Sequence, residues 1–183
     1  MTQPRKEGWF FFVLFIGSIF LANFLVSNVG ICVPDGPCVI PVWPGILAPS
    51  GVLAIGLSFT LRDLVQRRLG VKYTFLGIAI GAAFSALLSP ALALASGTAF
   101  LFSETLDLIV YTPLQRRNLV AAVFASNIVG IIADSVIFLW LAFESLQFIQ
   151  GQIIGKLWMT LAALPIIWLV RQWDARRGID AVA

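Results

Sequence analysis

The chain has 183 residues, of which 60% are hydrophobic and only 11% are charged, and its mean hydropathy is +0.96. A soluble domain is typically about half apolar and about a quarter charged, so this composition excludes a water-soluble protein with a single core. The formal charge of +3 has a topological explanation, and no basic patch is large enough to bind nucleic acid. We expect residues 1–183 to form one polytopic membrane domain.

Three long apolar intervals separate the basic residues. The shortest, 43 residues between Lys72 and Arg116, would rise about 64 Å as one helix, about twice the ~30 Å hydrocarbon core. Each interval is therefore predicted to be a helical hairpin, so the fold class is all-α with six transmembrane helices arranged as three hairpins. The predicted spans are Trp9–Ser27, Ile46–Leu64, Tyr73–Ser89, Thr98–Leu114, Leu119–Leu141 and Ile153–Val170.

The ends of all three hairpins are basic, and the positive-inside rule assigns that side to the cytoplasm. Both termini are then cytoplasmic, Lys156 faces outward, and the expected location is the cell inner membrane. The cytoplasmic basic residues are Arg5, Lys6, Arg62, Arg67, Arg68, Lys72, Arg116, Arg117, Arg171, Arg176 and Arg177.

The longest predicted loop, residues 28–45, contains two cysteines within a turn-rich segment. Cys32 and Cys38 lie outside in this topology, where an oxidising compartment favours a disulfide that clamps the turn. Two free thiols in an ordered loop are the other interpretation. The chain has no His, which excludes a Cys/His zinc site, and no metal or cofactor is expected.

Three carboxylates fall inside predicted spans, where each costs at least about 2.5–3.5 kcal/mol on insertion scales. Glu104 and Asp107 lie in the fourth span and Asp134 in the fifth. Because no Lys or Arg shares their predicted depth, we do not expect simple ion pairs. These acids are therefore the candidate functional residues. The alternative is a structural role, in which the acids are protonated and form hydrogen bonds between neighbouring helices.

The spacing of polar residues places each set on one helical face. Glu104 and Asp107 are three residues apart, whereas Ser126 and Asp134 are eight apart, with Asn127 beside that stripe. If the fourth and fifth spans are antiparallel neighbours, Glu104 and Asp134 share a layer about 10 Å below the outer boundary. Aromatic residues of this layer, which suit a small flat ligand, are Phe100, Phe102 and Phe138.

Asp63 and Arg62 lie at the cytoplasmic end of the second predicted span. Two roles stay open for these residues: a local ion pair and a cytoplasmic gate.

Several of these residues occur in short motifs that resemble the VUT family of queuosine precursor transporters. The resemblance covers residues 50–175, and it departs from the family pattern at Arg67, Leu69 and Ile131. The motifs are TLRD at residues 60–63 followed by Gly70, SETLD at residues 103–107, SN at residues 126–127 followed by Gly130, and DSVIF at residues 134–138.

The resemblance implies a six-helix inner-membrane protein that imports 7-deazaguanines such as preQ0 or preQ1 for tRNA modification. Such a base presents N1–H beside an exocyclic amine, and one carboxylate can accept both donors. We expect Glu104 or Asp134 to bind this edge, Asp107 and Asn127 to support it, and a phenyl ring to stack on the base. The substrate-binding set is Glu104, Asp107, Asn127, Asp134, Ser126 and Phe100.

Other functions stay open at this point. The importer acts alone or is the binding subunit of a multi-component importer with an energising partner. A homo-oligomer is also open. The chain has no Gly-rich Walker loop, so it does not hydrolyse ATP itself. An intramembrane aspartyl enzyme would use Asp107 and Asp134, although no sequence typical of such enzymes surrounds them. A non-catalytic scaffold is the third reading, and we expect the protein not to be an enzyme.

Overall fold

The computed structural model describes residues 3–34 and 36–178. Within them the chain forms six helices and three strands, in the order of one helix, three strands and five helices. The helices and strands are α1 (Gln3–Asn28), β1 (Ile31–Cys32), β2 (Cys38–Trp43), β3 (Ile46–Pro49), α2 (Val52–Leu69), α3 (Val71–Leu88), α4 (Pro90–Leu114), α5 (Leu119–Phe143) and α6 (Ile149–Arg177).

Each predicted hairpin corresponds to a packed pair of consecutive helices. Helix α1 packs along α2, α3 against α4, and α5 against α6, while the most extensive helix contact joins α4 to α5. Four helices, α1, α4, α5 and α6, are long and apolar enough to cross a membrane by length and composition, and α3 has a shorter apolar stretch. The prediction of an all-α membrane protein is confirmed by the six helices and the four candidate spans.

The second predicted span begins too early. Residues Ile46–Pro49 form strand β3, and α2 begins only at Val52. The physical reason is local: Pro41 and Pro44 lack backbone N–H groups, and Gly45 has φ +75°, so this segment turns instead of continuing as a helix. The apolar run is therefore divided between a sheet and a helix.

The three strands form an antiparallel sheet in the order β1-β2-β3. A disulfide joins Cys32 to Cys38 across the β1–β2 pair. The Ser50 hydroxyl donates to the Leu25 carbonyl oxygen at 2.6 Å, which attaches the end of the sheet to the end of α1. The sheet thus covers one end of the bundle, called here the sheet end.

Ion pairs join three helices at the opposite end. The Asp174 carboxylate of α6 lies 2.6 Å from Arg67 Nε and 2.7 Å from Arg68 Nη2 of α2. Arg68 also pairs with Glu7 of α1 at 3.2 Å, and Glu7 pairs with Arg177 at 3.1 Å. This ion-pair end contains the described start of α1 and the described end of α6, whereas the termini themselves lie outside the described residues.

Large apolar side chains cover much of the outer surface. Phe10, Val13, Leu94 and Ile109 are each more than half exposed, whereas a water-soluble bundle would place such residues inside. Because the polar side chains are instead concentrated in the interior, we describe the molecule as a multi-pass membrane protein.

Candidate functional site

Six charged side chains lie buried in the bundle between its two ends. They come from α2, α4, α5 and α6, and each is at most 5% exposed. A charged group in a membrane span is costly and usually marks a substrate or ion pathway. The six are Arg62, Asp63, Glu104, Asp107, Asp134 and Lys156.

Arg62 is at the centre of the first group, called here the Arg62 cluster and made of Arg62, Asp63, Glu104 and Asp107. Its Nη1 lies 2.5 Å from Asp63 Oδ1, its Nε donates to Glu104 Oε2, and its Nη2 contacts Asp107 Oδ2. The guanidinium also lies 5.7 Å from the centre of the Tyr111 ring. Glu104, Asp107 and Tyr111 all face Arg62 because they are three and four residues apart on α4.

The second group is a pair between α5 and α6. Lys156 Nζ lies 2.6 Å from Asp134 Oδ2 and donates to Ser135 Oγ at 2.8 Å. Lys156 is only 1% exposed, so its charge is compensated inside the protein by Asp134. Unlike the Arg62 cluster, this pair contains one cation and one carboxylate.

The prediction that no basic residue lies at the depth of the acids is therefore wrong. Arg62 does not lie at the cytoplasmic end of its span, and Lys156 does not face outward: both are buried against carboxylates. The positive-inside rule applies to basic residues in the loops that flank the spans. A basic residue can enter the bundle where a buried acid compensates it, and sequence distance alone does not reveal this.

Gly130 fixes the level at which α4 and α5 meet. A Cβ atom at this position would lie 3.3 Å from Asp107 Cβ and 2.8 Å from the ring of Phe59, so only a glycine permits this approach. The two helices are antiparallel, so Glu104 and Asp134 both lie about one turn from this contact toward the sheet end. The two carboxylates thus occupy the same level of the bundle.

A cavity of about 400 Å³, its mouth included, opens between α1, α2, α4, α5, α6 and the end of β3. Asp134 supplies its one ionisable side chain among the described residues, and Gln152 supplies an amide. The Gln152 Oε1 atom is buried and has no hydrogen-bond partner among the described residues. The polar and aromatic lining residues are Asn23, Ser96, Phe100, Asp134, Phe138 and Gln152.

The residues expected to bind substrate are distributed between two places. Asp134 and Phe100 line the cavity, whereas Glu104 and Asp107 bind Arg62. Of the phenyl rings expected beside the acids, Phe102 is 58% exposed and faces away from the interior.

Ser126 and Asn127, the other two predicted site residues on α5, make local or structural contacts. Ser126 Oγ donates to the Val123 carbonyl oxygen of its own helix at 3.4 Å, and Asn127 Nδ2 donates to Thr160 Oγ1 at 3.3 Å. Asn127 therefore joins α5 to α6.

Sequence reasoning missed the polar face of α6. Gln152, Lys156 and Thr160 are four residues apart and all buried, a helical spacing that was available in the sequence. The pattern does not stand out in the sequence analysis because Lys156, although inside the predicted span Ile153–Val170, is expected to face outward.

Comparison with known families adds one match. Residues 82–170 match a family model described as "putative vitamin uptake transporter". The matched segment includes Glu104, Asp107, Asp134 and Lys156, and it supports the resemblance to the VUT transporters drawn from the sequence. No curated protein and no solved structure matches the chain.

Proposed function

We propose that this protein is an inner-membrane importer of a queuosine precursor, a 7-deazaguanine such as preQ0 or preQ1, used for tRNA modification. The observation that carries the proposal is the cavity beside Asp134, which combines one carboxylate, a free amide oxygen and phenyl side chains. The match to a vitamin uptake family over residues 82–170 supports transport as the activity.

The donor groups of a 7-deazaguanine complement the acceptors of this cavity. N1–H and the exocyclic amine lie side by side on the base, so the two oxygens of Asp134 can accept one hydrogen bond from each. Gln152 Oε1, which has no partner among the described residues, is a second acceptor for the amine. A bound ligand with these donors would give that buried oxygen a partner and so remove the free-energy cost of leaving it unpaired.

Phe100 and Phe138 supply the apolar part of the site. Phe100 is 5% exposed and contacts the rings of Phe15 and Phe59, with centroid distances of 6.0 and 6.1 Å. A planar base stacked on a phenyl ring gains about 1–3 kcal/mol. A flat aromatic ligand is therefore favoured over a sugar or a flexible amino acid.

The position of the cavity agrees with import. It lies near the sheet end, whereas most Lys and Arg residues lie toward the ion-pair end, which the positive-inside rule assigns to the cytoplasm. At the ion-pair end, Asp174 of α6 is bound to Arg67 and Arg68 of α2. In that orientation the cavity lies in the outer part of the bundle, as uptake from outside requires.

The test is a bacterial host that cannot synthesise the precursor and lacks its own importer. We expect the wild-type chain to restore queuosine in tRNA when preQ0 or preQ1 is supplied, with queuine tested in parallel. Asp134→Asn should abolish this, because an amide cannot accept two hydrogen bonds in the same way. Glu144→Gln is the matched control, since Glu144 is exposed in the α5–α6 loop. Normal tRNA modification by Asp134→Asn, at equal membrane levels, would contradict the proposed site.

A further inference from the structure

The two buried basic residues differ in how their charges are balanced. Lys156 is paired with one carboxylate, Asp134. Arg62 is surrounded by three, Asp63, Glu104 and Asp107, all of them at most 1% exposed at the side chain. With every carboxylate ionised, the Arg62 cluster would carry two uncompensated negative charges away from water. Such an excess is strongly unfavourable in a low-dielectric interior.

The same carboxylates also have oxygens without partners. Each of the three guanidinium nitrogens contacts one of the acids, yet every acid keeps at least one oxygen that these contacts do not reach. Buried oxygens without a hydrogen-bond partner among the described residues are Asp63 Oδ2, Glu104 Oε1, Asp107 Oδ1 and, one turn away on α2, Thr60 Oγ1. A buried acceptor left unpaired costs about 1–3 kcal/mol.

We infer that the Arg62 cluster is a proton-binding site that couples transport to proton movement. A proton bound to one carboxylate oxygen removes one negative charge and also creates an O–H donor for a neighbouring acceptor. Two close carboxyl groups share a proton on the same physical grounds in other proteins. The coupling part of this inference rests on the proposed transport function, whereas proton binding does not.

The charged groups around the cluster come from the packed helices. Tyr111 of α4 lies over the guanidinium, and Asp134 of α5 acts on Glu104 electrostatically from the cavity side. Lys156 of α6 compensates Asp134. Helices α1 and α3 have their charges only toward the ion-pair end, at Arg5, Lys6, Glu7 and Lys72. Arg67 and Arg68, four and five residues beyond Asp63 on α2, are paired with Asp174 and Glu7. The cluster therefore keeps its negative excess among the described residues.

The location of the cluster explains how a proton could affect transport. Arg62 belongs to α2, and two of its three acid partners belong to α4, so these contacts hold the two helices together. Protonation of Glu104 or Asp107 would weaken its attraction to Arg62, since a neutral carboxyl has no net charge. Glu104 lies four residues from Phe100, which lines the cavity, so the two sites share one face of α4.

Infrared spectroscopy of the full chain in lipid vesicles tests proton binding directly and needs no substrate. We expect a carbonyl stretch from a protonated carboxyl group at neutral pH in the wild type, and its shift on exchange into D₂O identifies it. Glu104→Gln or Asp107→Asn should remove or reduce this band, whereas the matched control Glu144→Gln should keep it. Absence of the band in the wild type, or its survival in Glu104→Gln, Asp107→Asn and Asp63→Asn alike, would overturn the inference.

Transport of labelled preQ0 into vesicles of the purified protein tests the coupling. With the membrane potential clamped at zero, an inward proton gradient of about one pH unit should support up to about tenfold accumulation for one proton per substrate. The ratio of uptake rates with and without the gradient should fall to about one in Asp107→Asn. Equal wild-type uptake rates with and without the gradient would overturn coupling and leave the importer proposal intact. No uptake under any gradient would overturn both coupling and the importer, and the infrared band then decides proton binding by itself.

Discussion

Lys156 Nζ lies 2.6 Å from Asp134 Oδ2, and this pair connects α6 to the carboxylate that lines the cavity. Lys156 does not line the cavity itself, so it binds Asp134 from behind. This arrangement orients the carboxylate, and because each carboxylate oxygen can accept two hydrogen bonds, Oδ1 and the second lone pair of Oδ2 stay available to a ligand. The proposed substrate site and the packing of α6 therefore depend on the same contact.

Replacing Lys156 by Met should destabilise the protein through this pair. Removing one partner of a buried ion pair leaves an uncompensated charge and costs about 3–5 kcal/mol. The double variant Lys156→Met with Asp134→Asn removes both charges, so it should recover most of the lost thermal stability and still fail in uptake. Thermal unfolding in detergent, followed by tryptophan fluorescence, measures both variants. Equal melting temperatures of the single and double variants would contradict a compensating pair.

Gly130→Ala should separate α4 from α5. The new Cβ would lie 2.8 Å from the Phe59 ring and 3.3 Å from Asp107 Cβ, and such overpacking typically costs about 1–3 kcal/mol. Gly17→Ala is the matched control, because a Cβ on Gly17 meets nothing within 4 Å and should stabilise α1 by about 1 kcal/mol. Thermal unfolding of both variants is the measurement, and a Gly130→Ala protein as stable as Gly17→Ala would contradict the close helix approach.

The sequence was sufficient to predict most of the helices and the unusual acids. Apolar runs between charges locate α1, α3 and α5 closely, because membrane thickness fixes how long such a run must be. The positions of Glu104 and Asp134 follow from helical periodicity, and both lie in the buried interior.

The partners of those acids could not be predicted in the same way. Arg62 and Lys156 lie 42 and 22 residues from the carboxylates that they contact, Glu104 and Asp134. Such pairing depends on which helix faces meet, and one sequence carries no direct information on that. The strand Ile46–Pro49 was missed for a different reason, since a short apolar run reads equally well as the start of a helix.

Phe100→Leu should weaken binding of a planar substrate. Loss of a stacking ring costs about 1–3 kcal/mol, which is at least about a fivefold increase in Kd. Phe102→Leu is the matched control on the same helix, because Phe102 is 58% exposed whereas Phe100 is 5% exposed. Titration of preQ0 into the purified proteins gives both dissociation constants. A Phe100→Leu protein that binds as tightly as Phe102→Leu would remove Phe100 from the site.

Gln152→Met should reduce substrate affinity without reducing stability. Gln152 Oε1 is buried without a hydrogen-bond partner among the described residues, so a thioether of similar shape removes an unpaired acceptor from the folded protein. The melting temperature should therefore be equal or higher, while the Kd for preQ0 rises by roughly fivefold to tenfold, because a hydrogen bond contributes about 1 kcal/mol. Gln150→Met, at an exposed position of the same helix, is the matched control and should change neither quantity. A lower melting temperature with unchanged affinity would show that Gln152 supports packing and does not contact the ligand.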